Sequence, residues 1–172
     1  ISDDGNFIFT TDERPNAFEE AYDVSDLDNI QLVDRYRPAA TVGRGVYPHN
    51  THYHNGFLVT SFYTDGLKVV DATRPSNLVE VGSYDTFFGG DGGTNGNWGA
   101  YPYLPSGLIL ASDISTGLYV IEPSYSRAAY LEGLIRSARD NSLLPGAEIT
   151  ILNSQANQSE SDDAGSFKTG IF

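Results

Sequence analysis

The three histidines of this chain fall within six positions, at His49, His52 and His54. Imidazole suits zinc or copper, so this cluster is the first pattern able to do chemistry. Spacing limits what it can hold. On a strand successive side chains alternate faces, so a strand over Tyr47–His54 puts His52 and His54 on one side and His49 on the other. A metal there takes His52 and His54 and needs a carboxylate from elsewhere in the chain. Trp98, Tyr101 and Tyr103 form a second group. Close aromatic rings of this kind make a flat platform for a ligand, or they pack into a core.

Other acidic patterns are weaker. Asp91-Gly92-Gly93-Thr94-Asn95-Gly96-Asn97 resembles part of a calcium loop, but glycine stands at its third position and Pro102 where the bidentate glutamate belongs. A flexible connection is the better reading. Asp12-Glu13 is a carboxylate pair whose members face apart on a strand. No Gly-x-Ser-x-Gly elbow occurs. Asp23, Asp71 and Glu122 recur at one position of an internal repeat, which points to a structural role in accepting main-chain N–H groups at a turn.

That repeat is what must position these residues. Gly56-Phe57-Leu58-Val59-Thr60-Ser61 and Asp65-Gly66-Leu67-Lys68-Val69-Val70-Asp71 return 51 residues later as Gly107–Ser112 and Thr116–Glu122, without a gap over 16 positions. A looser copy begins at Gly5 and reaches Asp23-Val24-Ser25, with three extra residues inside it. In the middle copy Tyr47–His54, Phe57–Tyr63, Leu67–Asp71 and Val79–Tyr84 read as strands, punctuated by Asn55-Gly56, Thr64-Asp65-Gly66 and Arg74-Pro75-Ser76-Asn77. Four antiparallel strands per unit of this length are the pattern of a propeller blade. The outer copies read as incomplete: the first lacks a strand before Gly5, and the third has Ala100–Leu104, Leu108–Ser112 and Leu118–Glu122. Counted this way, the chain holds about two and a half four-stranded blades.

Composition excludes several functions. Acids outnumber bases 23 to 10, a net charge of −13, which argues against nucleic acid or an anionic membrane as the main partner. Without cysteine there are no disulfides and no thiolate chemistry. No apolar run is long enough for a membrane helix. The absence of methionine and of a leader pattern is expected of a processed chain or fragment.

Beyond the repeats, Ser124–Ala129 reads as a linker. Leu131–Arg136, Glu148–Leu152 and Gly165-Ser166-Phe167 then read as short strands outside the blade register, with a polar stretch at Asn153–Asp163. They suggest a second β unit.

Two resemblances attach to these residues. His49-Asn50, Ser61–Leu67, Val70-Asp71-Ala72-Thr73-Arg74-Pro75, Val81–Thr86 and Trp98–Gly107, with Ser2–Gly5 and Thr11-Asp12-Glu13, are similar to the LVIVD-repeat β-propellers, in particular the secreted bacterial choice-of-anchor B type. Residues 130–172 resemble the start of a carboxypeptidase regulatory-like module through Glu132–Ile135, Leu144–Ile149 and Asp163–Phe167. The resemblances imply an all-β chain: a partial propeller over 1–123, a linker over 124–129 and a truncated transthyretin-like sandwich over 130–172. They imply an extracellular or cell-surface place and no particular reaction. The function expected is a non-catalytic binding scaffold with no required cofactor. Its ligand, a protein or a carbohydrate, would bind at Trp98, Tyr101 and Tyr103, and a fragment of this kind is expected to self-associate. The alternative is a metal-dependent enzyme or ligand site on the propeller's central face, using calcium or a transition metal, with His52 and His54 as ligands.

Overall fold

Short β-branched and aromatic runs, cut by glycine and proline turns, leave little room for helix. In the computed structural model, which describes residues 1–152 and 159–172, the chain is all-β. The described residues form several small antiparallel sheets and no closed barrel. The only helical element among them is a short 3-10 turn at Ala39–Thr41.

The first sheet is a three-stranded meander of β1 (Phe7–Thr11), β2 (Glu19–Asp23) and β3 (Gln31–Tyr36). The second has four strands in sequence order: β4 (Thr51–His54), β5 (Phe57–Ser61), β6 (Leu67–Asp71) and β7 (Val79–Tyr84). A third meander joins β8 (Asn97–Tyr101), β9 (Ile109–Asp113) and β10 (Gly117–Ile121).

The repeat is visible in the pairing register. In the β5–β6 hairpin Leu58 pairs with Val70, Val59 with Val69, Thr60 with Lys68 and Ser61 with Leu67. In the β9–β10 hairpin Ile109 pairs with Ile121, Leu110 with Val120, Ala111 with Tyr119 and Ser112 with Leu118. Each pair is the other moved by the 51-residue offset. Gly66 and Gly117 occupy equivalent turns, at φ +71° and +98°. At Gly66 glycine is needed twice over, because a Cβ would stand 2.3 Å from the carbonyl oxygen of Tyr84.

Alternation along β5 and β6 sends side chains to both faces of the central sheet, and both faces are covered. Leu58, Val70, Phe62 and Ala72 pack with Phe9, Ala21 and Tyr36 of the first sheet. Phe57, Val59, Leu67, Val69, Val79 and Val81 pack with Ala100 and Ile109 of the third. The three sheets therefore stack in chain order, with β5 and β6 of the central one buried on both sides.

Several strand limits differ from the sequence reading. β4 starts at Thr51 rather than Tyr47, because His49 and Asn50 both oppose Ser61: His49 N–H donates to Ser61 O at 2.8 Å and Ser61 N–H to Asn50 O at 3.0 Å, a two-against-one irregularity that breaks the regular ladder. His49 therefore precedes the strand and is not governed by its alternation. β8 ends at Tyr101, before Pro102, instead of running over Ala100–Leu104. The segment read as a linker is docked: Tyr125 packs on Phe57 at 4.8 Å between ring centroids, and Arg127 lies 3.9 Å over the same ring. Arg127 also donates to Gly56 O and Asp71 Oδ1, and Ala128 N–H to Asp71 Oδ2. Beyond it β11 (Ala129–Leu134) pairs with β14 (Ser166–Ile171), and β12 (Glu148–Ile149) with β13 (Ser159–Glu160). Part of the polar stretch Asn153–Asp163 lies outside the described residues.

Candidate functional site

β4 and β8 are the first strands of their sheets and run beside each other. Their side chains, with those of the segments next to them, gather the rings singled out in the sequence. Tyr101 and Tyr103 meet edge to face at 5.4 Å. Tyr103 in turn meets His52 at 5.8 Å and His54 at 5.6 Å, both edge to face. His52 and His54 thus do share a side, as alternation requires. Tyr103 is fixed by its hydroxyl, which donates to Tyr53 O at 2.9 Å. The two tyrosines remain open to solvent, Tyr101 47% and Tyr103 43% exposed, while His52 and His54 are half-buried. Partial burial holds the His52 imidazole below its ordinary pKa and the Tyr103 phenol above its own.

Trp98 stands apart from that row. The register slips between Asn97 and Gly99, so Trp98 is the extra residue of a β-bulge. A bulge re-aims its side chain, and Trp98 is 54% exposed. One face of its indole is stacked on His49, at 5.6 Å and 21° between planes. His49 Nδ1 lies 2.6 Å from the Trp98 carbonyl oxygen. A carbonyl only accepts, so Nδ1 carries the proton and Nε2 faces Glu13, whose Oε1 is 3.9 Å away. Tyr63 donates its hydroxyl to the same Glu13 oxygen, and its ring lies 4.9 Å from that of His49. Burial first, and the Glu13 contact second, push the Tyr63 phenol up to about 12.

Tyr63 has φ +39°, a left-handed conformation that is strained for a bulky residue. It is held there by reciprocal main-chain bonds with Asn97, Tyr63 N to Asn97 O at 3.0 Å and Asn97 N to Tyr63 O at 2.8 Å. The strain therefore belongs to the seam that joins β5 to β8 and aims Trp98. Ser61 Oγ accepts from Asn50 N–H at 3.2 Å and has two main-chain oxygens in reach of its single proton, that of Trp98 at 3.2 Å and that of Asn50 at 3.3 Å. It is thereby engaged with the main chain and is not poised against the imidazole as a nucleophile.

Sequence reasoning reaches Trp98, Tyr101, Tyr103, His52 and His54, and does not join Glu13, His49 and Tyr63 to them. The structure brings Tyr101, Tyr103, His52 and His54 together and leaves Trp98 on the adjoining His49 wall. Among the described residues, no group of three or more His, Cys, Asp or Glu side chains is placed to hold a metal ion. Glu13 works alone, since its neighbour Asp12 pairs with Arg14. Asp91 pairs with Arg44 at 3.0 Å, and Gly92 N–H donates to Thr64 Oγ1. Two of the three repeated acids behave as turn acceptors: Asp23 Oδ1 takes the N–H and hydroxyl of Ser25, and Asp71 Oδ1 those of Thr73, whereas Glu122 makes no such bond among the described residues.

No family model, no curated protein and no solved structure matches this chain.

Proposed function

We propose that the protein is a non-catalytic scaffold of the secreted or cell-surface kind. In this reading residues 1–123 are successive blades of an LVIVD-type β-propeller of the choice-of-anchor B class. Residues 124–129 strap the blades to residues 130–172, the start of a carboxypeptidase regulatory-like, transthyretin-like sandwich. The ring row of exposed Tyr101 and Tyr103 with half-buried His52 and His54, and Trp98 beside it, is the binding face, and its ligand is a carbohydrate.

The observation that carries the function is the ring row itself: exposed tyrosine rings, one at the end of β8 and one just beyond it, set against two half-buried imidazoles on β4. Flat rings take the apolar faces of sugars while imidazole and phenol groups take their hydroxyls. The blade reading is supported by the shared register of the two hairpins and by a contrast in burial. Leu67 and Val69 are 2% and 9% exposed, while their repeat equivalents Leu118 and Val120 are 65% and 60% exposed. A further sheet of the same kind stacked on β10 would cover them as β8 and β9 cover the former pair.

The test is calorimetric titration of the chain with a panel of neutral oligosaccharides, comparing the parent with Tyr103→Ala. The expected result is saturable binding of one sugar class, weakened at least tenfold by Tyr103→Ala. Binding that is indifferent to Tyr103 would place the ligand elsewhere and overturn the proposal.

A further inference from the structure

In a chain of 23 acids and ten Lys and Arg residues, three of the ten bases line one crevice of about 230 Å³. They are Arg35 on β3, Arg37 just beyond it and Lys168 on β14. The crevice exists only in the folded chain, where β14 lies beside β7 and the turn before β7 closes the gap. Asn77 in that turn donates to Thr169 O at 3.2 Å and Glu132 Oε1 at 2.9 Å. Phe18, Val42 and Leu78 supply apolar wall.

The charges are unevenly engaged. Arg35 is paired with Glu20 at 3.1 Å. Asp34, the one acid on the wall, accepts the N–H of Leu78 and also feels the charge of Lys168. Arg37 has no carboxylate partner among the described residues. Its guanidinium lies 4.6 Å over the Phe18 ring and makes one long hydrogen bond, 3.4 Å to Asn16 O. Lys168 Nζ donates to a main-chain oxygen, that of Val33, at 3.2 Å. A guanidinium offers five N–H groups in a planar fork matched to a carboxylate, so most of the Arg37 donors are available to a ligand. The ion-pair capacity of this corner exceeds what the protein itself fills.

We propose that this crevice binds a small organic acid: its carboxylate sits against Arg37 and Lys168, and its apolar body lies along Phe18, Val42 and Leu78. The site is separate from the ring row on β4 and β8 and does not depend on the scaffold reading. The net charge of −13 opposes an approaching anion only over about a Debye length, ~8 Å at physiological salt. Inside that range the local cations decide.

The experiment is an amide-detected NMR titration of the 172-residue chain with three probes: benzoate, its neutral counterpart benzamide, and inorganic phosphate. Benzoate is expected to shift the amides of Arg37, Leu78 and Lys168 saturably. Benzamide and phosphate should each bind at least tenfold more weakly, one lacking the charge and the other the apolar body. Arg37→Gln and Lys168→Gln should each weaken benzoate at least fivefold, and 1 M salt should weaken it further, since screening then acts within about 3 Å. Equal affinity for benzamide, equal affinity for phosphate, or benzoate shifts confined to other residues would each overturn the proposal. Should Arg37→Gln fail to fold, the exposed Lys168 carries the test alone.

Discussion

Glu19 offers a prediction whose size follows from its surroundings. The side chain opens β2 but points between the first and second sheets, where it is fully buried. Thr60 Oγ1 stands 2.7 Å from Glu19 Oε1 and 2.8 Å from Thr51 Oγ1. Oε2 has no hydrogen-bond partner among the described residues. Burial outweighs these hydroxyls and raises the carboxyl from an ordinary 4.5 to about 7. The direction is opposite to that of a salt-bridged acid. Between pH 4.5 and 7 the folded chain holds a proton that the unfolded chain has released, so stability falls as pH rises through this window. A displacement of that size is worth about 3 kcal/mol at 1.36 kcal/mol per pH unit. Glu19→Gln keeps the shape and removes the titration. Urea unfolding of the parent and Glu19→Gln at pH 4.5 and pH 8 should therefore show the stability gap moving by about 3 kcal/mol in favour of the glutamine variant at the higher pH. The difference between the two proteins cancels Asp34 and Asp65, whose carboxyls burial also raises. A gap that is the same at both pH values would refute the reasoning.

The remaining predictions use the repeat as its own control. Gly66→Ala should cost more than about 3 kcal/mol, combining the left-handed penalty with the clash at Tyr84, whereas Gly117→Ala, with open space around it, should cost only about 1–2; denaturant titration of both variants checks this. Leu67→Ala should lose about 2–5 kcal/mol in the same assay, and its exposed equivalent Leu118→Ala within about 0.5. The open edge of β10 and its bare Leu118 and Val120 should make the chain self-associate in sedimentation experiments, and the double change Leu118→Lys, Val120→Lys should shift it toward monomer.

The hairpins are legible in the sequence because their determinants are local: Gly66 and the apolar runs on either side lie within one short stretch, and the same stretch returns around Gly117. The ring row is partly legible for the same reason, since Tyr101 and Tyr103 are near neighbours and His52 and His54 obey strand alternation. The wall behind Trp98 is not. Glu13, His49, Tyr63 and Trp98 come from four separate segments, and their contact depends on a bulge at Trp98 and a left-handed Tyr63 that no periodicity announces. Treating Tyr47–His54 as one strand misplaces His49, because His49 and Asn50 share Ser61 as their partner and the regular ladder begins only at Thr51. Ser124–Ala129 reads as a linker by composition, yet Tyr125 and Arg127 bind the Phe57 ring and the buried Asp71, partners more than 50 residues away.

Trp98 is the only tryptophan in the chain, so its emission reports directly on the proposed binding face. The decisive measurement is a fluorescence titration with the oligosaccharide class that binds calorimetrically. Trp98 is half-exposed and stacked on His49 through one face, so a ligand that spans the binding face from the ring row to Trp98 should shift its emission to shorter wavelength. That shift should saturate at the calorimetric affinity and weaken in step with it in Tyr103→Ala. Calorimetric binding with unchanged Trp98 emission, or a shift that Tyr103→Ala leaves intact, would contradict the account.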